Sequence, residues 1–244
     1  MMKPNFILDI GGCLFGIYAH DGLNVIPDDT ERGFESIHLN KEADIQIHVH
    51  NSLPKLPALV QTMTNARNLI EEKNGQKNYH YYQLSKSKNA FIVECGHENP
   101  VHPMKRYAIS TPDFKHWDVY LPGKIDNNVA IPLSFPLGHL IYYYGLSTCQ
   151  AILLHGAGLA YEREGFIFSG VSGAGKSTLS KLWIDKEGKL INDDRLVLKK
   201  HQQEFYMFNS PMAYVQQARQ SKISAFFLIS HNSFNQLKKL NQGE

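Results

Sequence analysis

Nine residues, Gly170-Val171-Ser172-Gly173-Ala174-Gly175-Lys176-Ser177-Thr178, restrict what this chain can be more than any other stretch. They fit G-x-x-x-x-G-K-[ST], the Walker A pattern or P-loop. In it the backbone N–H groups wrap a phosphate, the lysine reaches the β- and γ-phosphates and the hydroxyl holds Mg²⁺. The chemistry dictates those residue types. Glycines stand where the backbone must turn tightly and approach an anion, and a helix starting at Ser177 aims its positive end at the phosphates. The flanks agree: Gly165–Ser169 reads as a short buried strand, and Ser177–Lys186 as a helix with Leu179, Leu182 and Trp183 on one face. A nucleotide with Mg²⁺ is thus the expected ligand, with Gly170, Ser172, Gly173, Ala174, Gly175, Lys176, Ser177 and Thr178 as the nucleotide-binding set.

The 244 residues suffice for a full core in one large or two small domains. A hydrophobic fraction of 43% and a charged fraction of 20% are ordinary and disfavour disorder and coiled coil. A net charge of +2 without a concentrated basic stripe argues against nucleic acid as the main partner. No apolar run is long enough for a membrane span, and the N-terminus lacks the signature of a secretory signal, so the expected location is cytoplasmic, away from membrane. Cys13, Cys95 and Cys149 show neither a disulfide framework nor metal-ligand spacing and read as reduced.

The first half is expected to be β-rich. Phe6–Ala19 suggests a strand and turn, Tyr79–Leu84 with Ala90–Cys95 a hairpin, and Arg106–Ser110 with Trp117–Leu121 a further pair. Ala43–His50 alternates, so Ile45, Ile47 and Val49 face a core while His48 and His50 share the other face. A His-x-His pair can bind metal, but no acidic or cysteine ligand lies at suitable spacing, and the reading is a solvated face with no metal assigned. Pro57–Lys73 has near-helical apolar spacing with Gly75 as terminator and predicts a helix. The polar turn-rich run Leu121–Asn128 sets a soft boundary between residues 1–128 and 129–244, and a short helix is expected from Pro136 to about Gly145.

Two further groups flank the loop. Upstream, Ala151–Leu154 reads as a buried strand with His155 at its end; downstream, adjacent carboxylates Asp193 and Asp194 lie between apolar runs. On an extended chain neighbouring side chains point to opposite faces, which would let the two aspartates do different jobs. They follow Lys176 after only one short helix, closer than in most P-loop GTPases and ATPases.

The ordered set His155-Gly156, a hairpin, Gly170–Thr178 and Asp193-Asp194 resembles the HPr kinase/phosphorylase C-terminal domain and its relatives, which are related at the P-loop to ATP-dependent phosphoenolpyruvate carboxykinases. The resemblance covers about residues 130 to 230. It implies an α/β fold: a P-loop kinase core of this type preceded by the β-rich N-terminal region, and short at its C-terminus relative to family members. It also implies transfer of the γ-phosphoryl of ATP to a serine hydroxyl of a peptide, protein or small molecule, with homo-oligomerisation left open. Lys176 would bind phosphates, Ser177 and Asp193 would hold Mg²⁺, Asp194 would be the base and His155 would support the carboxylates. Phe208–Met212 is similar to the Gly-Thr-Pro-Trp segment of smaller members, with Asn209 and Met212 in place of the glycine and tryptophan. The first half looks more like the β-rich leader of HPr-kinase-like proteins from peptide-modification and small-molecule pathways than like the N-terminal domain of true HPr kinases. Two other functions stay open: an ATP-binding regulatory or scaffolding protein, and a carboxykinase-like enzyme.

Overall fold

The alternation in Ile45–His50 becomes a strand whose Ile45, Ile47 and Val49 are fully buried while His48 and His50 stay partly exposed. In the computed structural model, which describes residues 2–73, 76–98, 104–123, 125, 129–184, 186, 188–212, 219–234 and 236–240, this strand lies inside a large N-terminal sheet. The strands are β1 (Phe6–Asp9), β2 (Leu14–Ala19), β3 (Asn24–Val25), β4 (Ile45–His50), β5 (Gln61–Lys73), β6 (Gln76–Lys86), β7 (Phe91–Glu98), β8 (Met104–Ser110), β9 (His116–Tyr120) and β10 (Val129–Ala130). Eight of them form one sheet in the order β1-β2-β4-β9-β8-β7-β6-β5, and β3 pairs with β10 in a two-stranded ribbon. β4 runs parallel to both β2 and β9, and the other pairs in the large sheet are antiparallel. The two expected strand pairs, β6–β7 and β8–β9, are present.

The predicted helix at Pro57–Lys73 is absent: most of that segment is β5, paired with β6. Its helical spacing was misleading: Leu59, Val60 and Met63 are exposed, and cross-strand pairing decides the conformation. Gly75, the expected terminator, lies outside the described residues, as does half of the boundary run at 121–128.

The buried face of the N-terminal sheet is covered by α1 (Leu137–Thr148), close to the predicted span. Leu137, Ile141, Tyr142 and Leu146 join Phe15, Ile17, Ile45, Ile47, Val49 and Trp117 in one core. Phe15 meets Tyr142 edge to face at 5.4 Å, and fully buried Trp117 donates its indole N–H to the Phe114 carbonyl at 2.9 Å. Truncating Trp117 to alanine would cost about 3–5 kcal/mol.

After α1 come β11 (Ala151–His155), β12 (Ala157–Tyr161), β13 (Glu164–Ser169), α2 (Lys176–Ile184), β14 (Lys189–Asn192), β15 (Arg195–His201), β16 (Glu204–Asn209) and β17 (Gln220–Leu228). They build a seven-stranded sheet in the order β11-β15-β16-β17-β13-β12-β14, with β13 parallel to β17. The described residues are mostly β-sheet with two α-helices. β11 is an edge strand, and Ile152 is exposed, which corrects the expectation of a wholly buried strand. α2 packs Leu179 and Trp183 against Phe166, Phe168 and Phe227, whereas Leu182, expected on the same face, points to solvent. No helix among the described residues is long and apolar enough to cross a membrane.

Cys13 and Cys149 form a disulfide, their Cα atoms 5.9 Å apart, while Cys95 is free and buried. This corrects the reading of three reduced cysteines. The turn after β1 and the residue capping α1 meet only in the folded chain, so a separation of 136 residues held no local signal.

Candidate functional site

The loop between β13 and α2 is shaped by its glycines. Gly170 follows a strand flanked closely by β17, where a Cβ would stand 2.4 Å from the Ile229 carbonyl oxygen. Gly173 and Gly175 adopt φ of +81° and +100°, and a Cβ on either would meet nothing within 4 Å. Space is therefore not what calls for glycine there; the left-handed backbone conformation of the turn is. Ala174 is buried beneath the loop, with its N–H donating to the Val171 carbonyl at 3.1 Å. From Lys176 the chain is helical, and the amides of the first turn have no intrahelical acceptor, apart from Leu179, whose N–H reaches the Gly175 carbonyl at 2.9 Å.

The loop faces a cavity of about 690 Å³. Of the residues expected from sequence, Ser172, Gly173, Gly175, Lys176, Ser177, Thr178, His155, Asp193 and Asp194 all line it, and Gly170 and Ala174 do not. Lys176 is only 7% exposed. Its ammonium donates to the carbonyls of Gly170 at 2.8 Å and Val171 at 3.1 Å, and among the described residues it has no carboxylate partner. A nearly buried cation held by two carbonyls, with one N–H to spare, suits an incoming anion.

The carboxylates reach the cavity by a different route from the one expected. Asp193 and Asp194 lie in a bend between β14 and β15, so strand alternation does not sort them, and both line the same space. Asn192 fixes this bend. Its buried side-chain oxygen accepts the N–H of Asp194 at 2.7 Å and of Arg195 at 2.9 Å, and its amide donates to Asn209 Oδ1 at 2.7 Å and the Met212 carbonyl at 3.1 Å. Asn209 Oδ1 also accepts the Ser210 N–H at 2.8 Å, and Ser210 Oγ donates to the Arg195 carbonyl at 2.8 Å. The Asn209-to-Met212 segment thus buttresses the aspartates from below.

β11 pairs with β15 so that His155 stands opposite Arg195, and the Gly156 N–H donates to the Asp194 carbonyl at 3.1 Å. Asp194 Oδ1 accepts from Arg195 Nη1 at 2.6 Å and lies 3.0 Å from His155 Nδ1. That ring nitrogen is also approached by the Arg195 guanidinium, a donor, and by the Asp194 carbonyl at 2.9 Å, an acceptor. One nitrogen cannot serve both: neutral with a lone pair at Nδ1 it accepts from Arg195, and protonated there it donates to Asp194. Among the described residues Asp194 Oδ2 makes no hydrogen bond.

Sequence reasoning missed three participants. His139 of α1 lines the cavity, and burial, aided by the Arg195 guanidinium, pushes it down to about 4. Its signal was available: it sits off the apolar positions Leu137, Leu140, Ile141 and Tyr144. His231, beyond β17, donates from Nε2 to the Gly173 carbonyl at 2.7 Å and ties down the loop, and Asn192 sets the bend. Neither stands out in the sequence. Arg219 donates to the Leu190 carbonyl at 2.8 Å and lines a separate cavity.

The donor set fits the expected ligands. Ser177 and Asp193 offer the oxygens that Mg²⁺ prefers, and Lys176, the open loop and the helix start offer positive charge for phosphates. No family model matches the chain, and no curated protein matches it. A solved structure, that of the HPr(Ser) kinase/phosphatase from Coxiella burnetii, is similar over 36% of this chain and 72% of its own length, at 18% identity and a TM-score of 0.29. At that TM-score the likeness is weak and carries no argument about fold or activity.

Proposed function

We propose that the chain is a Mg²⁺-dependent phosphotransferase that moves the γ-phosphoryl group of ATP to a serine hydroxyl of a peptide, protein or small molecule, and that residues 129–244 form a P-loop kinase core of the HPr kinase type. One observation carries the reading: the nearly buried Lys176 ammonium, without a carboxylate partner among the described residues, shares a cavity with Asp193 and Asp194. Lys176 and the amides at the start of α2 bind and orient the β- and γ-phosphates. Ser177 and Asp193 would hold Mg²⁺, which when bound neutralises charge on those phosphates. Asp194 is held through Oδ1 by Arg195, leaving Oδ2 to take the hydroxyl proton as the acceptor O–P bond forms and the bond to the ADP leaving group breaks. Arg195 positions that carboxylate, and His155 supports it.

The test is transfer of labelled phosphoryl from ATP to serine-containing acceptors by wild type and Asp194→Asn. The variant should bind MgATP normally and lose transfer about 10²- to 10⁴-fold. Equal transfer would overturn the assignment of the base. MgATP binding that Lys176→Ala abolishes, without transfer or hydrolysis in wild type, would favour an ATP-binding regulatory protein instead.

A further inference from the structure

Far from the loop in sequence, the outward face of the N-terminal sheet gathers histidines from neighbouring strands. His48 and His50 project from β4 on the face opposite the buried Ile45, Ile47 and Val49. The parallel pairing of β2 with β4 brings His20, which follows β2, alongside them, and that of β4 with β9 sets Asp118 beside His48. His20 Nε2 lies 2.9 Å from His48 Nδ1, the His20 ring stacks on His50 at 4.6 Å, and His50 Nε2 lies 2.8 Å from Asp118 Oδ1. The absence of a carboxylate near the His-x-His pair, which argued against metal on sequence grounds, is thus removed by the fold.

We propose that His20, His48, His50 and Asp118 form a site for Zn²⁺ or a similar divalent transition metal, with His20 Nε2 and His48 Nδ1 as the first two ligands. Imidazole nitrogens with a carboxylate are a zinc donor set, and borderline-soft ligands of this kind reject Mg²⁺ and Ca²⁺. With Zn–N bonds of about 2.0–2.1 Å, two ligands at a tetrahedral centre stand about 3.3 Å apart. The His20–His48 contact of 2.9 Å opens by only a few tenths of an ångström to admit the ion. As placed, the four donors do not converge on one point. His50 or Asp118 must leave their mutual contact to complete the set, and Asp118 is exposed enough to swing. Ligation requires the imidazoles in their neutral form, so uptake should weaken in acid. Tyr18 and Tyr120 stack on His48 and His50 at 4.9 and 5.0 Å and hold the rings at the sheet face.

Zn²⁺ titrated calorimetrically into the oxidised full chain, with Co²⁺ absorption as a second probe of geometry, tests this. Wild type should take up one equivalent, His20→Asn and His48→Asn should lose it, and Asp118→Asn should weaken it about 10- to 100-fold. Asp193→Asn and Asp194→Asn should leave it unchanged, which separates this site from the loop cavity. Should the histidine variants misfold, long-range ¹H–¹⁵N spectra of wild type must show Zn²⁺-dependent shifts at the His20 and His48 ring nitrogens. No stoichiometric uptake by wild type, uptake unaffected in both histidine variants, or ring signals of these two residues that ignore Zn²⁺ would overturn the proposal.

Discussion

Asn192→Ala removes a side chain that makes four hydrogen bonds from a position with 1% exposure. Asn209 Oδ1 keeps the Ser210 N–H, so three backbone groups lose their partner: the N–H of Asp194, the N–H of Arg195 and the carbonyl of Met212. A buried group left unsatisfied costs about 1–3 kcal/mol, and because the bend borders an open cavity that water can enter, the low end applies. The expected loss is about 3 kcal/mol. With a urea m-value of about 3 kcal/mol per molar, the midpoint should fall by about 1 M. The bend also carries Asp193 and Asp194, and a displacement of the order of 1 Å at reacting groups costs about 10²-fold in rate. Phosphoryl transfer by the folded variant should therefore fall about that much, while MgATP binding, which rests mainly on Lys176 and the loop, falls less. Urea melts followed by tryptophan fluorescence, paired with single-turnover transfer at a urea-free temperature where the variant is folded, read both effects. A wild-type midpoint, or unimpaired transfer, would refute the buttress.

Glu31 is buried under Tyr142, which donates its hydroxyl to Oε1, and burial pushes the carboxyl from 4.5 up to about 7. The folded state thus holds the proton more tightly than the unfolded one, and stability contributed by the neutral acid is lost as pH rises from 4.5 through about 7, by about 3 kcal/mol in all. His139, pushed down from 6.5 to about 4, acts in the opposite sense, its contribution complete above 6.5 and lost as pH falls through 4. Glu31→Gln should accordingly be more favourable relative to wild type at pH 8 than at pH 5, as urea melts at the two values will show; a pH-independent difference would contradict it. Reducing the Cys13–Cys149 bond, which spans 136 residues, should destabilise the chain by about 2–5 kcal/mol, and a melting temperature indifferent to dithiothreitol, with three thiols titratable in the unreduced unfolded chain, would count against the disulfide.

The parts of the fold legible in sequence were those written in local pattern. Alternation in Ile45–His50 gave both the strand and its buried face, and apolar spacing around Leu137 and Ile141 gave α1. The loop residues, His155 and the aspartates were nominated from motif order, and in space nine of the eleven line one cavity. What escaped was long-range. β5 and the residues before it have a helix-like apolar pattern, yet Leu59, Val60 and Met63 lie exposed and β6 pairs with the strand instead. Asp193 and Asp194 looked sortable by strand alternation, but Asn192, reaching Asn209 and Met212 across the sheet, bends the chain there. The cysteine pair and the meeting of His20 with His48 likewise depend on which strands become neighbours.

The central claim is that the Lys176 cavity receives a nucleoside triphosphate with its metal. Isothermal titration of MgATP into wild type and Lys176→Ala, the fold of each verified by circular dichroism, tests it most directly. The account predicts one binding event per chain in wild type, dependent on Mg²⁺, and at least a 100-fold loss in the variant, about 2.7 kcal/mol. Failure of wild type to bind MgATP, or equal binding by a folded Lys176→Ala chain, would contradict it.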